Sequence, residues 1–286
     1  MNLALAALLA GATCIALSPI WVRLADVGPT ASAFWRVALA VPLLWLLCAA
    51  FEPRRLVAPR ARERRWLVFA GIAFAGDLAF WHWSIQLTSV ANSTLLANLA
   101  TLFVTLAAWL IWKQRPTILF VAGLAAALAG VAMLVRASLS FSPTALTGDA
   151  LGVVTAMFYA GYLLSVKEVR DRGAATVRLM AVTTTVTALL LFPVALASGE
   201  RLLPRAPEGW LVLAGLAWIS HSGGQGLIAW ALAHLPAAFS SVSLLFQPVM
   251  AAVFAWLLLG EGLAPLQIAG GAVVLAGIWL ARRGSA

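Results

Sequence analysis

The sequence predicts an all-α integral membrane protein of ten transmembrane helices, built as two inverted five-helix repeats. Three observations support this prediction: the apolar composition, the length of the apolar stretches and an internal duplication. The 286-residue chain is 63% hydrophobic and 10% charged, with a mean hydropathy of +0.97, whereas soluble domains carry about 25% charged residues. Such a chain has more apolar surface than one soluble core can bury, so a lipid bilayer is its expected environment.

Ten apolar stretches are long enough to cross about 30 Å of hydrocarbon. Each is expected to be a helix, because lipid offers no hydrogen-bond partner to a loop or an open sheet edge. The eighth stretch is the least regular, since Gly223, Gly224 and Gly226 weaken it. The predicted spans are residues 2–22, 30–51, 66–86, 90–112, 117–135, 147–166, 175–197, 209–232, 237–259 and 264–281.

An internal duplication relates the two halves of the chain. Residues 83–138 align without a gap with residues 230–285, at a constant offset of 147. The matched pairs include Trp83 with Trp230, Trp109 with Trp256, Gly123 with Gly270, Gly130 with Gly277 and Arg136 with Arg283. Further upstream, offsets of 144 and 145 pair Trp66 with Trp210, Asp77 with His221, and Cys14 with Tyr159. These matches indicate one unit of five spans that is present twice.

An odd number of spans per copy makes the two copies cross the membrane in opposite directions. The chain therefore divides into a first repeat over residues 1–136, an external linker over residues 137–148 and a second repeat over residues 149–286. In inverted repeats of this kind, the substrate binds near the midplane between the halves, and each half supplies one gate for alternating access.

The basic residues predict the orientation of the bundle. Of the Lys and Arg residues, 14 fall on the side that carries both termini and five on the other side. Because cytoplasmic loops carry the excess of Lys and Arg, both termini of this multi-pass membrane protein are expected in the cytoplasm. The net charge of +9 lies in short loops between apolar stretches, which indicates membrane orientation and no nucleic-acid partner.

Polar side chains at bilayer depth are costly, so they mark candidate cavity residues. The candidates in the fourth and ninth spans are Thr94, Asn98, Thr101, Ser243 and Gln247. Pro248 is expected to kink the ninth span and to act in gating, whereas its repeat partner Thr101 imposes no kink. In the alternative, the polar side chains of these two spans form hydrogen bonds between helices.

The remaining cavity candidates lie in the first, third, sixth and eighth spans. They are Trp21, Asp77, Trp81, Tyr159, Tyr162, His221 and Gln225. The aromatic side chains among them can stack on a planar or apolar substrate. Asp77 or His221 is a candidate carrier of a coupled proton, because burial and neighbouring groups shift such residues into the titrating range. In the alternative, Asp77 is a structural acid that meets Arg36 or His82.

Nothing in the sequence predicts catalysis, a cofactor or a metal. The G-x-x-x-x-G-K-[ST] motif of ATP-driven proteins is absent. Three His, the two cysteines Cys14 and Cys48, and one deep Asp form no metal-binding spacing. The fifth and tenth spans carry small residues and almost nothing polar, which predicts surfaces for packing or for contact between protomers.

The chain resembles the EamA-type transporters of the drug/metabolite transporter superfamily. The stretch from Trp230 through Pro248 to Glu261 is similar to the family's A-L … P … L-L-G-E signature. The first half departs from it, with Thr101 in place of the proline and Lys113 with Gln114 in place of Gly-Glu. The resemblance implies ten helices in two halves, a cavity enclosed by helices 1, 3, 4, 6, 8 and 9, and peripheral helices 5 and 10.

The resemblance also implies a function. Members of this family mostly export amino acids and related metabolites, and the overall pattern is most similar to the bacterial aromatic amino-acid exporters. We therefore expect a secondary transporter that exports a small metabolite, an amino acid in the first place, with the lipid bilayer and this substrate as its partners. A facilitator, or an exporter of drugs, purines or other metabolites, remains an alternative, and an intramembrane enzyme is the least favoured class.

Overall fold

The computed structural model describes residues 2–51, 61–88, 90–136, 145–260 and 262–285. Within these ranges, every element of regular secondary structure is a helix. Glu261, the greater part of the predicted linker 137–148, and Arg54, Arg55 and Arg60 of the charge count lie outside the described residues.

The helices of the first half are α1 to α8. Their bounds are Asn2–Ala16, Ser18–Leu24, Pro29–Ala38, Ala40–Phe51, Ala61–Leu87, Val90–Ala97, Ala100–Trp112 and Ile118–Val135. The second half contains α9 (Ala145–Asp171), α10 (Thr176–Ala197), α11 (Pro207–Gly215), a π-helix (Leu216–Gln225), α12 (Gly226–Ala231), α13 (Ala237–Ser243), α14 (Phe246–Leu259) and α15 (Pro265–Gly284).

Nine helical segments of the described chain are long and apolar enough to cross a membrane. They coincide with nine of the predicted spans. The eighth predicted span, 209–232, is covered by α11, the π-helix and α12, which follow one another without a loop. The irregularity expected around Gly223 and Gly224 therefore takes the form of a π-helix, an element that is frequent at functional sites.

Four of the nine segments are interrupted within their length, and in the ninth predicted span the interruption begins four residues before Pro248. The helix breaks at Leu244 and Leu245. Pro248 has no backbone N–H, so the Leu244 carbonyl, four residues earlier, lacks its usual helical donor. Breaks at Leu17 and Leu39 divide the first two spans.

The fourth span also breaks, one residue from the equivalent position and without a proline, and no break was predicted there. The regular α-helical hydrogen-bond pattern is interrupted by turns at Asn98 and Leu99. The side chains there bond to the backbone of their own helix: Asn98 Nδ2 donates to the Thr94 carbonyl at 2.9 Å, and Thr101 Oγ1 donates to the Asn98 carbonyl at 3.0 Å. Such local bonds compete with the helical ladder.

The small-residue faces of the fifth and tenth spans pack against each other. A Cβ atom on Gly277 would lie 2.5 Å from the backbone nitrogen of Ala127 and 2.7 Å from the carbonyl oxygen of Gly123. A Cβ atom on Gly130 would lie 2.7 Å from the Gly270 carbonyl oxygen. Glycine lets the two backbones approach this closely, so the prediction of a packing surface is confirmed.

The remaining long helices enclose the centre of the bundle. α5 packs against α9 and α10, and the π-helix packs against α1 and α4. Hydrogen bonds join these pairs: Thr187 Oγ1 donates to the Gly71 carbonyl at 2.9 Å, and Ser220 Oγ donates to the Cys14 carbonyl at 2.7 Å. These contacts place the broken helices around a shared central space.

Candidate functional site

A cavity of about 190 Å³ lies between the broken helices. Its wall is formed by α1, α2, α3, α5, α6, α9, the π-helix and α14, and Asn98 of the helix break also faces it. Eight of the predicted site residues line it: Asp77, Trp81, Thr94, Asn98, Tyr159, Gln225, Gln247 and Pro248. The structure therefore brings together candidates that are up to 171 positions apart in the sequence, Asp77 and Pro248 being the most distant pair.

The wall holds two oppositely charged groups. Arg36 enters from α3 and Asp77 from α5, and both side chains line the cavity. Arg36 also lies against an aromatic ring, with its guanidinium carbon 6.0 Å from the ring centre of Phe74. The alternative role of Asp77, a structural acid that meets Arg36 of a neighbouring helix, stays a prediction.

Tyr159 and two glutamines form the polar floor of the cavity. Tyr159, Gln225 and Gln247 all line it. The Tyr159 ring is stacked on that of Tyr162, with centroids 6.1 Å apart and planes inclined by 20°. Gln225 is the last residue of the π-helix and Gln247 follows the break in the ninth predicted span, so both irregular segments contribute an amide to the site.

Several polar atoms of the wall are buried without a hydrogen-bond partner. They are Ser18 Oγ, Arg36 Nε, His82 Nε2, Thr155 Oγ1, Gln225 Oε1 and Gln247 Nε2. Buried polar groups in native proteins are nearly always paired. A cluster of unpaired donors and acceptors around one cavity is therefore the arrangement expected of a site for a polar ligand.

His221 and Tyr162 are enclosed instead of lining the cavity. His221 Nε2 and Thr184 Oγ1 share a hydrogen bond of 2.9 Å, and the imidazole ring is 5.4 Å from that of Phe74. The Tyr162 hydroxyl points to Met180 Sδ at 4.0 Å. Asp77 and His221, which the repeat register pairs, thus lie in different surroundings.

Thr101, Ser243 and Trp21 also lie outside the cavity wall. The Thr101 hydroxyl bonds to the backbone of its own helix, and Ser243 Oγ donates to the Phe239 carbonyl at 2.9 Å. Neither hydroxyl therefore bonds to a neighbouring helix. Trp21 packs its ring against Gly215 at the end of α11.

Sequence reasoning named Arg36 only as an alternative partner of Asp77 and not as a cavity residue, because its charge was counted with those outside the membrane. The residue lies within α3, well inside an apolar segment that runs from Pro29 to Phe51. A charged side chain inside a span is itself a signal of a functional site, and this signal was sufficient to find it. His82, whose Nδ1 donates to the Leu78 carbonyl at 2.5 Å, was considered only as a partner of Asp77.

Comparison with known proteins identifies the family. The EamA-like transporter family matches residues 2–136 and, separately, residues 146–283. A solved crystal structure superposes with a TM-score of 0.81 at 18% identity, over 99% of this chain and 96% of that chain, which supports the fold alone.

Named relatives carry transporter descriptions. The threonine/homoserine exporter RhtA of Escherichia coli K12 is 31% identical over 81% of this chain and 75% of its own length. A probable terminal-alkyne amino-acid exporter of Streptantibioticus cattleyicolor is 28% identical over 83% and 79%. An uncharacterized transporter of Archaeoglobus fulgidus is 28% identical over 91% and 90%. With matches in both halves, the chain belongs to the EamA-like transporter family, within the drug/metabolite transporter superfamily.

Proposed function

We propose that this membrane transporter exports amino acids across the bacterial inner membrane by alternating access between two inverted five-helix repeats. The observation that carries the proposal is the central cavity, whose wall combines Arg36, Asp77 and unpaired polar atoms with aromatic surface. The division into repeats over residues 1–136 and 149–286, joined by an external linker, is part of the proposal.

Equivalent contacts in the two halves support the inverted repeat. α5 packs on α9, and their repeat partners, the π-helix and α1, pack on each other in the same way. α8 and α15 are repeat partners of each other and also pack together. Lys113 and Gly260, which are 147 positions apart, both end a helix in the left-handed conformation, with φ of 58° and 68°. Lysine rarely adopts this conformation, so its use at the equivalent position indicates a shared backbone plan.

The position of the cavity supports an outward-facing state. Ser18, Ala33 and Thr94 line it from the halves of their spans that lie far from the two termini. The orientation predicted from Lys and Arg places both termini in the cytoplasm, so this half of the bundle is external. The central polar residues would then be reached from outside, while the cytoplasmic half is closed by packed side chains.

The size and chemistry of the cavity favour an amino acid over a drug. A volume of about 190 Å³ is below the roughly 300–1,000 Å³ of sites for drug-sized ligands. Phe74, Trp81 and Tyr159 in the wall can stack on an aromatic side chain. The relatives named as amino-acid exporters support the same substrate class. A facilitator of the same substrates is the second candidate.

Counterflow in proteoliposomes tests the proposal. Vesicles loaded with unlabelled substrate are offered labelled threonine, phenylalanine or tryptophan, with purines and cationic drugs as further compounds, with and without a pH gradient. Saturable counterflow of an amino acid is expected. Flux that does not saturate would indicate a pore, and a protein that neither carries nor is inhibited by any amino acid would refute amino-acid export. The aromatic preference is refuted if tryptophan and phenylalanine neither enter nor compete.

Removing the polar floor of the cavity is expected to impair transport without loss of folded protein. Gln247→Ala and Tyr159→Ala each remove groups that face the site. Loss of one hydrogen bond to the substrate costs about 0.5–1.5 kcal/mol, which raises KM roughly twofold to tenfold. Gln114→Ala, in an exposed loop, is the matched control and should leave KM unchanged. Wild-type kinetics in both cavity variants would contradict the site assignment.

Asp77 is the better placed of the two candidate proton carriers, because it lines the cavity while His221 is enclosed. The charged and titratable groups around it are Arg36, His82 and Tyr159. If Asp77 carries the proton, an imposed pH gradient should accelerate uptake by the wild type and not by Asp77→Asn. Uptake and pH dependence that are unchanged in Asp77→Asn would remove this role.

A further inference from the structure

We propose that the cavity holds its substrate by both ends of an α-amino acid head group, with Arg36 binding the carboxylate and Asp77 the ammonium group. This inference rests on the proposed function and names the substrate form: a zwitterion with an uncharged side chain. Among the described residues that line the cavity, Arg36 is the only Lys or Arg and Asp77 the only acid.

The placement of Arg36 suits a carboxylate. Its side chain comes from α3, its Nε is buried and has no hydrogen-bond partner, and its guanidinium carbon lies 6.0 Å from the ring centre of Phe74. A guanidinium presents donors in a fork that matches the two oxygens of a carboxylate. The Phe74 ring lies on one side of the group.

Asp77 supplies the complementary charge from a different helix. It lies on α5 and lines the same cavity as Arg36. An ammonium group beside Asp77 and a carboxylate beside Arg36 would therefore span the space between two helices. A substrate with only one of these groups would leave one of the protein charges without its ligand partner.

Neutral polar atoms are available for the remaining hydrogen bonds of the head group. Gln225 Oε1 is an unpaired acceptor for an ammonium hydrogen, and Gln247 Nε2 is an unpaired donor for a carboxylate oxygen. Ser18 and Thr155 add unpaired hydroxyls to the same wall. The number and kinds of these atoms suit a small head group that carries both donors and acceptors.

The charge balance of the wall predicts which side chains are excluded. One cation and one anion from the protein, with one of each from the ligand, leave the filled site neutral. An acidic or basic side chain would add a buried charge without a partner, which is strongly unfavourable. The rest of the wall includes Pro19, Val22, Leu78 and Trp81, so an apolar or aromatic side chain is preferred.

Competition in proteoliposome counterflow tests this head-group recognition. The full-length protein is assayed with labelled L-phenylalanine and L-threonine, and with unlabelled competitors: the parent amino acid, its primary amide, and its N-acetyl derivative. The amide lacks the carboxylate and the N-acetyl compound lacks the ammonium group. For the wild type, both derivatives should compete at least about tenfold more weakly than the parent. Each derivative loses one charge-assisted interaction worth about 1.5–3 kcal/mol, and about 1.4 kcal/mol corresponds to a tenfold change in affinity.

Variants assign the two ends. Arg36→Gln should abolish the advantage of the parent over the amide while the N-acetyl compound stays weak, and Asp77→Asn should do the reverse. Arg36→Lys, which keeps the charge, should retain part of the discrimination. Arg201→Gln removes an exposed arginine outside the cavity wall and should match the wild type.

The wild-type comparison decides the proposal even if a variant fails to fold. If both derivatives compete as well as the parent amino acid, head-group recognition is wrong and amino-acid transport stands. If the derivatives are discriminated against but Arg36→Gln keeps the preference for the parent over the amide, the assignment to Arg36 is wrong. If no labelled amino acid enters at all, the proposed function fails, and this inference fails with it.

Discussion

Replacing Gly277 by alanine is expected to destabilise the folded protein severely, although it adds a single methyl group. The new Cβ would lie 2.5 Å from the Ala127 nitrogen and 2.7 Å from the Gly123 oxygen, which are backbone atoms of α8. Overpacking against mobile side chains costs about 1–3 kcal/mol. Here α8 and α15 must separate along their interface, so a larger loss is expected.

The measurement is the yield of monodisperse protein in size-exclusion chromatography in detergent, together with the thermal midpoint. Gly271→Ala is the matched control on the same helix, because a Cβ there meets its nearest neighbour, Val249 Cγ1, at 3.5 Å, an ordinary contact. Both changes gain the same helix propensity, about 1 kcal/mol, so their difference isolates the close approach. Equal yield and equal midpoint in the two variants would contradict the packing of α8 on α15.

The sequence was sufficient to predict most of the fold, because the relevant signals are local. An apolar stretch of some 20 residues predicts a membrane helix whatever its neighbours are, and Pro248 predicts the break at Leu244. The break at Asn98 was not predicted from the sequence. It coincides with hydrogen bonds of the Asn98 and Thr101 side chains to the backbone of their own helix. The residue types allow such bonds in any helix, so their presence does not predict a break.

The candidate site was predicted in part for a similar reason. Helical periodicity identifies faces, so Thr94, Asn98 and Gln247 were found. Arg36 was missed because the charge count treats each basic residue as belonging to the nearest loop. The repeat register also misleads here: it assigns Asp77 and His221 the same depth, yet one lines the cavity and the other is enclosed with Thr184.

An alternating-access transporter in one conformation opens its cavity to one side only. Repeat-related residues such as Asp77 and His221 are then expected to differ in exposure to the cavity. If the halves exchange roles, residues that are the repeat partners of cavity residues should line the cavity of the opposite state. Thr94 lines the present cavity. Its partner at the offset of 147 is Ser241, which is 1% exposed. Ser241 should therefore become accessible only when the protein faces the other way.

A cysteine at each of these positions is expected to react from opposite sides of the membrane. In a background with Cys14→Ala and Cys48→Ala, a membrane-impermeant maleimide should label Thr94→Cys from one side. It should label Ser241→Cys from the other side, at least roughly tenfold faster during counterflow than at rest, a change that corresponds to about 1.4 kcal/mol. Right-side-out and inverted vesicles give the two sides.

Ser165→Cys is the control for general opening of the bundle. Ser165 is fully buried, and its repeat partner at the offset of 145, Ile20, is absent from the cavity wall, so Ser165 should stay unlabelled from both sides. Labelling of Ser241→Cys from the same side as Thr94→Cys would indicate a continuous pore. A Ser241→Cys variant that transports but never reacts would show that the two halves do not exchange roles, because turnover would then occur without exposing the repeat partner of the present cavity.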